Sequence, residues 1–135
     1  MEYTAVAHSL AHQDAVIHIK EANLQFGITS QHGMALPNPA ELLLGSLAAC
    51  ILKSVERFST FMDFTYTSAE VKIHATRLEK PPRISSVDYI LTLVTPENKI
   101  NLDLLKRNIE NYGTIFNTIK AASVVNGEIV HARET

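Results

Sequence analysis

Cys50 is the only cysteine of this 135-residue chain, and a thiol is a side chain well suited to nucleophilic chemistry. It lies in the longest apolar segment, residues 42–52. On a helix, the residues three, four and seven positions further on share its face, which places Lys53, Ser54 and Arg57 beside it. Cationic neighbours stabilise the reactive thiolate, whereas burial among apolar groups disfavours it. The pattern therefore leaves two interpretations open, a nucleophile or a small core residue.

The apolar segment follows a strong helix start. Asn38 suits the N-cap, Pro39 the first helical position, and Glu41 the position that completes a capping box. The predicted helix runs to about Met62, and its first half is apolar on every side, which suggests that a second subunit helps to cover it. Glu41 lies nine residues before Cys50, so the two side chains point to opposite sides of a straight helix. Glu41 therefore either assists a thiol in the other subunit's site or serves only as a cap.

Composition, length and the first residues limit the partners, domain count and compartment that this chain can be expected to have. Fourteen acidic against twelve basic residues give a net charge of −2, which favours neither nucleic acid nor an anionic membrane as a partner. The length suits a single domain covering residues 1–135. The first residues lack the pattern of a signal peptide, and one unpaired cysteine suits a reducing compartment, so we predict a cytoplasmic location. His8 and His12 are four apart, which on a helix would allow a metal pair, but a third ligand would have to come from elsewhere, so neither a metal nor another cofactor is predicted.

Alternating and helical patterns predict the order β-β-α-β-β-α-β. Strands are predicted at residues 15–20 and 23–28, then as a long antiparallel pair at 68–77 and 83–95. The second helix has apolar residues at helical spacing from Leu102 and is predicted to stop at Gly113, with a further helical turn near residues 115–120. A last strand is predicted near residues 123–130, interrupted at Asn126-Gly127. The order indicates an α+β fold with antiparallel neighbours and a long central helix.

The helix segment resembles a known family. Residues 38–50, read as NPAELLLGSLAAC, are similar to the central-helix pattern N-P-x-E-L-L-L-x-x-L-A-x-C of the OsmC/Ohr family. Pro81-Pro82-Arg83 and the segment at residues 112–120, YGTIFNTIK, are family-like as well. The resemblance covers roughly residues 36–130. It implies an intertwined homodimer with two sites at the subunit interface.

The same resemblance implies a redox activity. Active members of the family reduce organic hydroperoxides with two cysteines, and Cys50 matches the peroxidatic one. The thiolate attacks the O–O bond and becomes a sulfenic acid, which the second thiol then resolves as a disulfide. This chain departs from the pattern at three places. Gly113 stands at the second cysteine, Ala40 at the usual site glutamate with Glu41 one residue later, and no arginine precedes Arg57.

The predicted function is a thiol-dependent hydroperoxide reductase, or oxidative-stress response protein, with one cysteine. Cys50 is the predicted catalytic nucleophile and Glu41 a catalytic residue at the interface, with Lys53 and Arg57 as thiolate stabilisers. The expected partners are a second copy of the chain, a small organic hydroperoxide and an external thiol reductant. One alternative is a non-enzymatic dimer that binds a small hydrophobic ligand in its interface pocket. Another is a vestigial site in which Cys50 only fills space.

Overall fold

The structure of the chain is a computed structural model that describes residues 1–133. The chain divides into two compact units, one covering Met1–Leu43 and one beginning at Leu44. Each unit contains one three-stranded sheet, and the single domain stays a prediction. In chain order the elements are β1 (Val6–Ser9), β2 (Ala15–Ile19), β3 (Ala22–Phe26), α1 (Pro39–Phe61), β4 (Ser68–Glu79), β5 (Pro82–Thr95), α2 (Leu102–Tyr112), α3 (Thr114–Lys120) and β6 (Val124–Arg133).

The first unit is an antiparallel meander with the strand order β1-β2-β3. The prediction of β2 and β3 is confirmed, although the connection between them is only two residues long and begins at Lys20 with φ 53°. β1 was not predicted from the sequence. Its four residues do not alternate between apolar and polar types, which is the pattern that predicts a half-buried strand, and all four are exposed.

Asp14 fixes the segment between β3 and α1. Its Oδ1 accepts hydrogen bonds from the backbone N–H groups of Thr29 (2.8 Å) and Ile28 (2.9 Å) and from the Thr29 hydroxyl, and its Oδ2 lies 2.6 Å from Nδ1 of His32. These bonds, of which the one from the Thr29 N–H has the largest effect, hold the pKa of Asp14 well below its usual range, against a partial opposing effect of burial. The carboxylate therefore organises the start of this segment, which also contains a single 3-10 turn at Ser30–His32.

The depressed pKa of Asp14 makes a testable prediction about acid stability. A carboxylate with a lowered folded-state pKa stabilises the fold fully above its unfolded value of about 3.9, and that stabilisation is lost as the pH falls towards the folded value. We expect Asp14→Asn to lower the melting temperature at pH 7 and to flatten its fall between about pH 5 and pH 2.5. Melting curves by circular dichroism measure both, with Asp88→Asn, an exposed acid on β5, as control. An acid profile unchanged from that of the parent chain would contradict the assigned role of Asp14.

The second unit contains a sheet with the order β4-β5-β6. β4 and β5 pair antiparallel, as predicted, and along the central strand β5 alternate residues are buried. The β5–β6 pair is parallel, so the expectation of antiparallel neighbours is wrong there. The connection between these strands contains both α2 and α3, and a crossover of this length lets the chain return in the same direction. The α+β class is unaffected.

β6 is continuous through Asn126 and Gly127, so the predicted interruption is wrong. Gly127 lies opposite Tyr89 in the parallel register, and a β-carbon built there would lie only 1.9 Å from the tyrosine ring. The glycine does not mark a turn. It leaves space for a large aromatic ring on the neighbouring strand, which is a second reason for glycine in a strand.

The long helix α1 confirms the predicted boundaries to within one residue. One stripe of it is buried and packs in the core of the second unit, through Leu47, Ile51, Val55 and Phe58. The opposite stripe is exposed and includes Gly45, Ala49 and Leu52. No helix within residues 1–133 is both long and apolar enough to span a membrane.

Candidate functional site

The start of α1 is fixed by a reciprocal pair of hydrogen bonds. The backbone N–H of Glu41 donates to Oδ1 of Asn38 over 2.9 Å, and the N–H of Asn38 donates to Oε1 of Glu41 over 3.0 Å. This is the predicted capping box, which satisfies two backbone donors that have no partner within the helix. The structure therefore gives Glu41 a structural task, and its catalytic role stays a prediction.

Cys50 lies at the border between the buried and exposed stripes of α1. Leu47 and Ile51, on one side of it, are fully buried, whereas Ala49 and Lys53 are exposed. The thiol itself is half-buried and unpaired, and it packs against the hydrophobic core of the second unit. Cys50 is therefore neither sealed in the core nor fully exposed.

Gly113, the buried residue that separates α2 from α3, lies directly against the sulfur of Cys50. A β-carbon built on Gly113 would lie 2.8 Å from Sγ of Cys50, 3.1 Å from Cβ of Phe116 and 3.2 Å from the carbonyl oxygen of Ile109. The two positions at which the resemblance places a cysteine pair are therefore neighbours in this fold. Because glycine occupies one of them, the sulfur of Cys50 approaches the main chain closely.

The two candidates for stabilising the thiolate lie on the exposed side of α1. Lys53 and Arg57 are both exposed, and Ser54 is buried. The guanidinium carbon of Arg57 lies 5.4 Å from the ring centroid of Phe58 and 5.7 Å from that of Phe61. The guanidinium charge of Arg57 is thus partly stabilised by cation–π contacts with these two rings. Stabilisation of the thiolate by Lys53 and Arg57 stays a prediction.

A part-buried polar contact joins β5 to α2, the helix that ends next to Gly113. The hydroxyl of Tyr89 donates to Oε2 of Glu110 over 2.7 Å, and its ring meets that of Phe116 edge-on with centroids 6.0 Å apart. Burial, helped by the bond to Glu110, raises the pKa of Tyr89 far above its usual range, so the phenol remains a donor. Lys106 in turn lies 2.9 Å from the same carboxylate oxygen. These contacts tie α2 and α3 to the central strand.

The arrangement suits chemistry that requires one sulfur. Cys50 is half-buried, and Ile109 and Phe116, which flank Gly113, are buried. Within residues 1–133, no cluster of three or more His, Cys, Asp or Glu side chains is placed to hold a metal ion. The side chains around Cys50 thus offer a nucleophile and an apolar surface.

The comparison with protein families agrees with this arrangement. A family model described as OsmC-like protein matches residues 31–128, which include α1, Cys50 and Gly113. The chain belongs to the OsmC-like protein family. No sequence among the curated proteins matches it.

Solved structures of OsmC-like proteins share the fold over nearly the whole chain. An OsmC-like protein from Mycoplasma pneumoniae is 12% identical, with a TM-score of 0.86 and 98% of each chain covered. An organic hydroperoxide resistance protein OsmC from Legionella pneumophila is 14% identical, with a TM-score of 0.72, and 95% of this chain and 97% of that one are covered. The organic hydroperoxide resistance protein OhrB of Bacillus subtilis is 13% identical, with a TM-score of 0.68, and 94% and 98% are covered. At these identities the similarity shows the fold.

Two features of this OsmC-like chain were missed by sequence reasoning. The link between Asp14 and His32 joins residues 18 positions apart, and that between Tyr89 and Glu110 joins residues 21 apart. Neither pair follows a helical or strand period. For the link between Tyr89 and Glu110 the sequence had one usable signal. Gly127 within an alternating strand indicates that a large side chain, here Tyr89, packs closely against it.

Proposed function

We propose that this OsmC-like protein is a one-cysteine, thiol-dependent hydroperoxide reductase with Cys50 as its nucleophile. The observation that carries the proposal is the half-buried Cys50, whose sulfur lies 2.8 Å from the position that a β-carbon on Gly113 would take. Two structurally similar proteins are named as organic hydroperoxide resistance proteins, which supports the reaction class.

The reaction divides into three balanced steps. The Cys50 thiolate attacks one peroxide oxygen, the O–O bond breaks, and the other oxygen leaves with a proton as the alcohol, so that sulfur is oxidised to a sulfenic acid. With Gly113 in place of a second thiol, an external thiol attacks this sulfur and releases water as a mixed disulfide forms. A second external thiol then releases Cys50 and leaves with the first as a disulfide. A reducing cytoplasm would supply such thiols.

A second copy of the chain is part of the proposal. The stripe of α1 with Gly45, Ala49 and Leu52 is apolar yet exposed, and Leu52 retains 38% of its surface. Such a stripe is suited to close packing against another copy. Sedimentation equilibrium is expected to give twice the chain mass of 14.9 kDa. A single-chain mass across concentrations would contradict the dimer.

The test is steady-state reduction of cumene hydroperoxide with dithiothreitol or glutathione as the reductant. We expect turnover in the parent chain and none above background in Cys50→Ser, because the hydroxyl cannot form the sulfenic acid. Lys53→Gln and Arg57→Gln are expected to slow the peroxide-dependent step severalfold if their charges support the thiolate. Lys99→Gln, an exposed lysine before α2, is the matched control. Turnover that persists in Cys50→Ser would overturn the proposal.

The non-enzymatic alternative has one observation in its favour. Phe61 and Tyr112 keep 72% and 62% of their surface exposed, and both rings contact the buried Phe58. Such a patch suits an apolar ligand. Absence of turnover with every reductant, together with binding of an apolar probe that Cys50→Ser leaves intact, would favour this alternative over the reductase.

A further inference from the structure

A cavity in the first unit is lined by residues that the proposed reaction does not use. Its volume is about 630 Å³, within the range of small-molecule sites. The side chains around it come from β1, the β1–β2 turn, β2, β3 and the loop before α1. Three of them are histidines, namely His8, His12 and His32.

One wall of the cavity is a cross-strand row of the sheet. His8 pairs with Val16, and Val16 pairs with Gln25, so these three side chains share a face. The turn that follows β1 adds His12, whose backbone lies in the left-handed region at φ 66°. The opposite wall is the loop that Asp14 holds, and it contributes His32.

The charges that face the cavity are few. Its described lining contains three imidazoles and the carboxylate of Asp14, while Val16 on β2 and Gln25 on β3 add no charge. Asp14 is already occupied, since its two oxygens interact with Thr29, Ile28 and His32. With neutral imidazoles the formal charge of the lining is −1, and with all three protonated it is +2. Protonation of the three imidazoles therefore reverses the sign of the formal charge of the lining.

Asp14 also determines which atom of His32 is available. Because Nδ1 of His32 lies 2.6 Å from Oδ2 of Asp14, that nitrogen donates to the carboxylate and Nε2 remains for a ligand. In the neutral ring Nε2 is an acceptor, which disfavours an anion. In the protonated ring it becomes a donor, and a charge-assisted hydrogen bond to an oxyanion is stronger than a neutral one.

We propose that this cavity binds a small organic carboxylate when its histidines are protonated. The carboxylate meets the imidazolium groups of His8, His12 and His32. Its hydrocarbon part lies against the apolar lining of the cavity, which includes Leu10, Val16 and Leu36.

The test is isothermal titration calorimetry with hexanoate at about pH 5.5 and pH 8. We expect hexanoate to bind about tenfold or more tightly at the lower pH, and 1-hexanol, the uncharged analogue, to bind weakly at both. His32→Gln and His8→Gln are each expected to weaken binding at pH 5.5 severalfold. His74→Gln, an exposed histidine on β4 outside the cavity, is the matched control and is expected to change nothing.

Several results would overturn this proposal. They are equal affinity at the two pH values, equal affinity for hexanol, or no binding of hexanoate at pH 5.5 by a chain that circular dichroism shows to be folded. If Zn²⁺ displaced hexanoate and also protected His8 and His32 from chemical modification, the cavity would be a metal site instead. Cys50→Ser is expected to bind hexanoate like the parent chain, so this proposal and the reductase proposal succeed or fail separately.

Discussion

Replacing Gly113 by cysteine is expected to produce an intramolecular disulfide with Cys50 on mild oxidation. In a disulfide, the β-carbon of one cysteine lies about 3 Å from the sulfur of the other. The β-carbon built on Gly113 lies 2.8 Å from Sγ of Cys50, and the backbone there, at φ −79°, is open to any L-residue. Only the contacts with Phe116 and Ile109 require a small adjustment.

Mass spectrometry under non-reducing conditions measures the expected product, an intact chain lighter by two hydrogens with no thiol left to alkylate. Thr114→Cys is the matched control, since residue 114 is exposed and one position further along the chain. It should remain a dithiol after the same oxidation. Equal bridging in the two variants, or two reactive thiols in Gly113→Cys, would contradict the placement of Gly113 against the sulfur.

Replacing Gly127 by alanine is expected to lower the free energy of unfolding by about 3 kcal/mol. The new β-carbon would lie 1.9 to 2.3 Å from three atoms of the Tyr89 ring. That ring cannot move aside cheaply, because it is 1% exposed, bonded to Glu110 and packed against Phe116. Urea unfolding followed by circular dichroism measures the change.

The same substitution at Gly33 provides the control. Its backbone, at φ −60° and ψ −20°, is helical, and a β-carbon there would meet only the carbonyl oxygen of Ser30 at 3.7 Å. We expect Gly33→Ala to stabilise the chain slightly, by up to about 1 kcal/mol, because the unfolded state loses freedom. The double variant Tyr89→Leu with Gly127→Ala should be less destabilised than the sum of its parts. Strict additivity would show that the ring is not what Gly127 accommodates.

The helix that carries the site could be predicted almost completely from local sequence. The Asn38–Glu41 cap depends on residues three apart, and the buried stripe through Leu47 and Ile51 follows the helical period. Such features need no knowledge of the rest of the fold. The half-buried position of Cys50 was not among the predictable features, because the first half of the helix is apolar on every side and the sequence left both a nucleophile and a core residue open.

The direction of β6 was harder to predict. Its alternating pattern suits either orientation, and the choice depended on how α2 and α3 pack before the chain returns to β5. Local propensity contains no information on that packing. The expectation of a break at Gly127 failed for a related reason, since the residue that explains the glycine, Tyr89, lies 38 positions away.

By itself the sequence determined the family, the helix with its cap, and the single sulfur on which the proposed chemistry depends. Only the tertiary structure brought Gly113 against Cys50, Tyr89 over Gly127, and three histidines around one cavity with Asp14. The reason is physical. Helical and strand periods act over a few residues, whereas a contact between distant segments depends on how every intervening element packs, which no local pattern specifies.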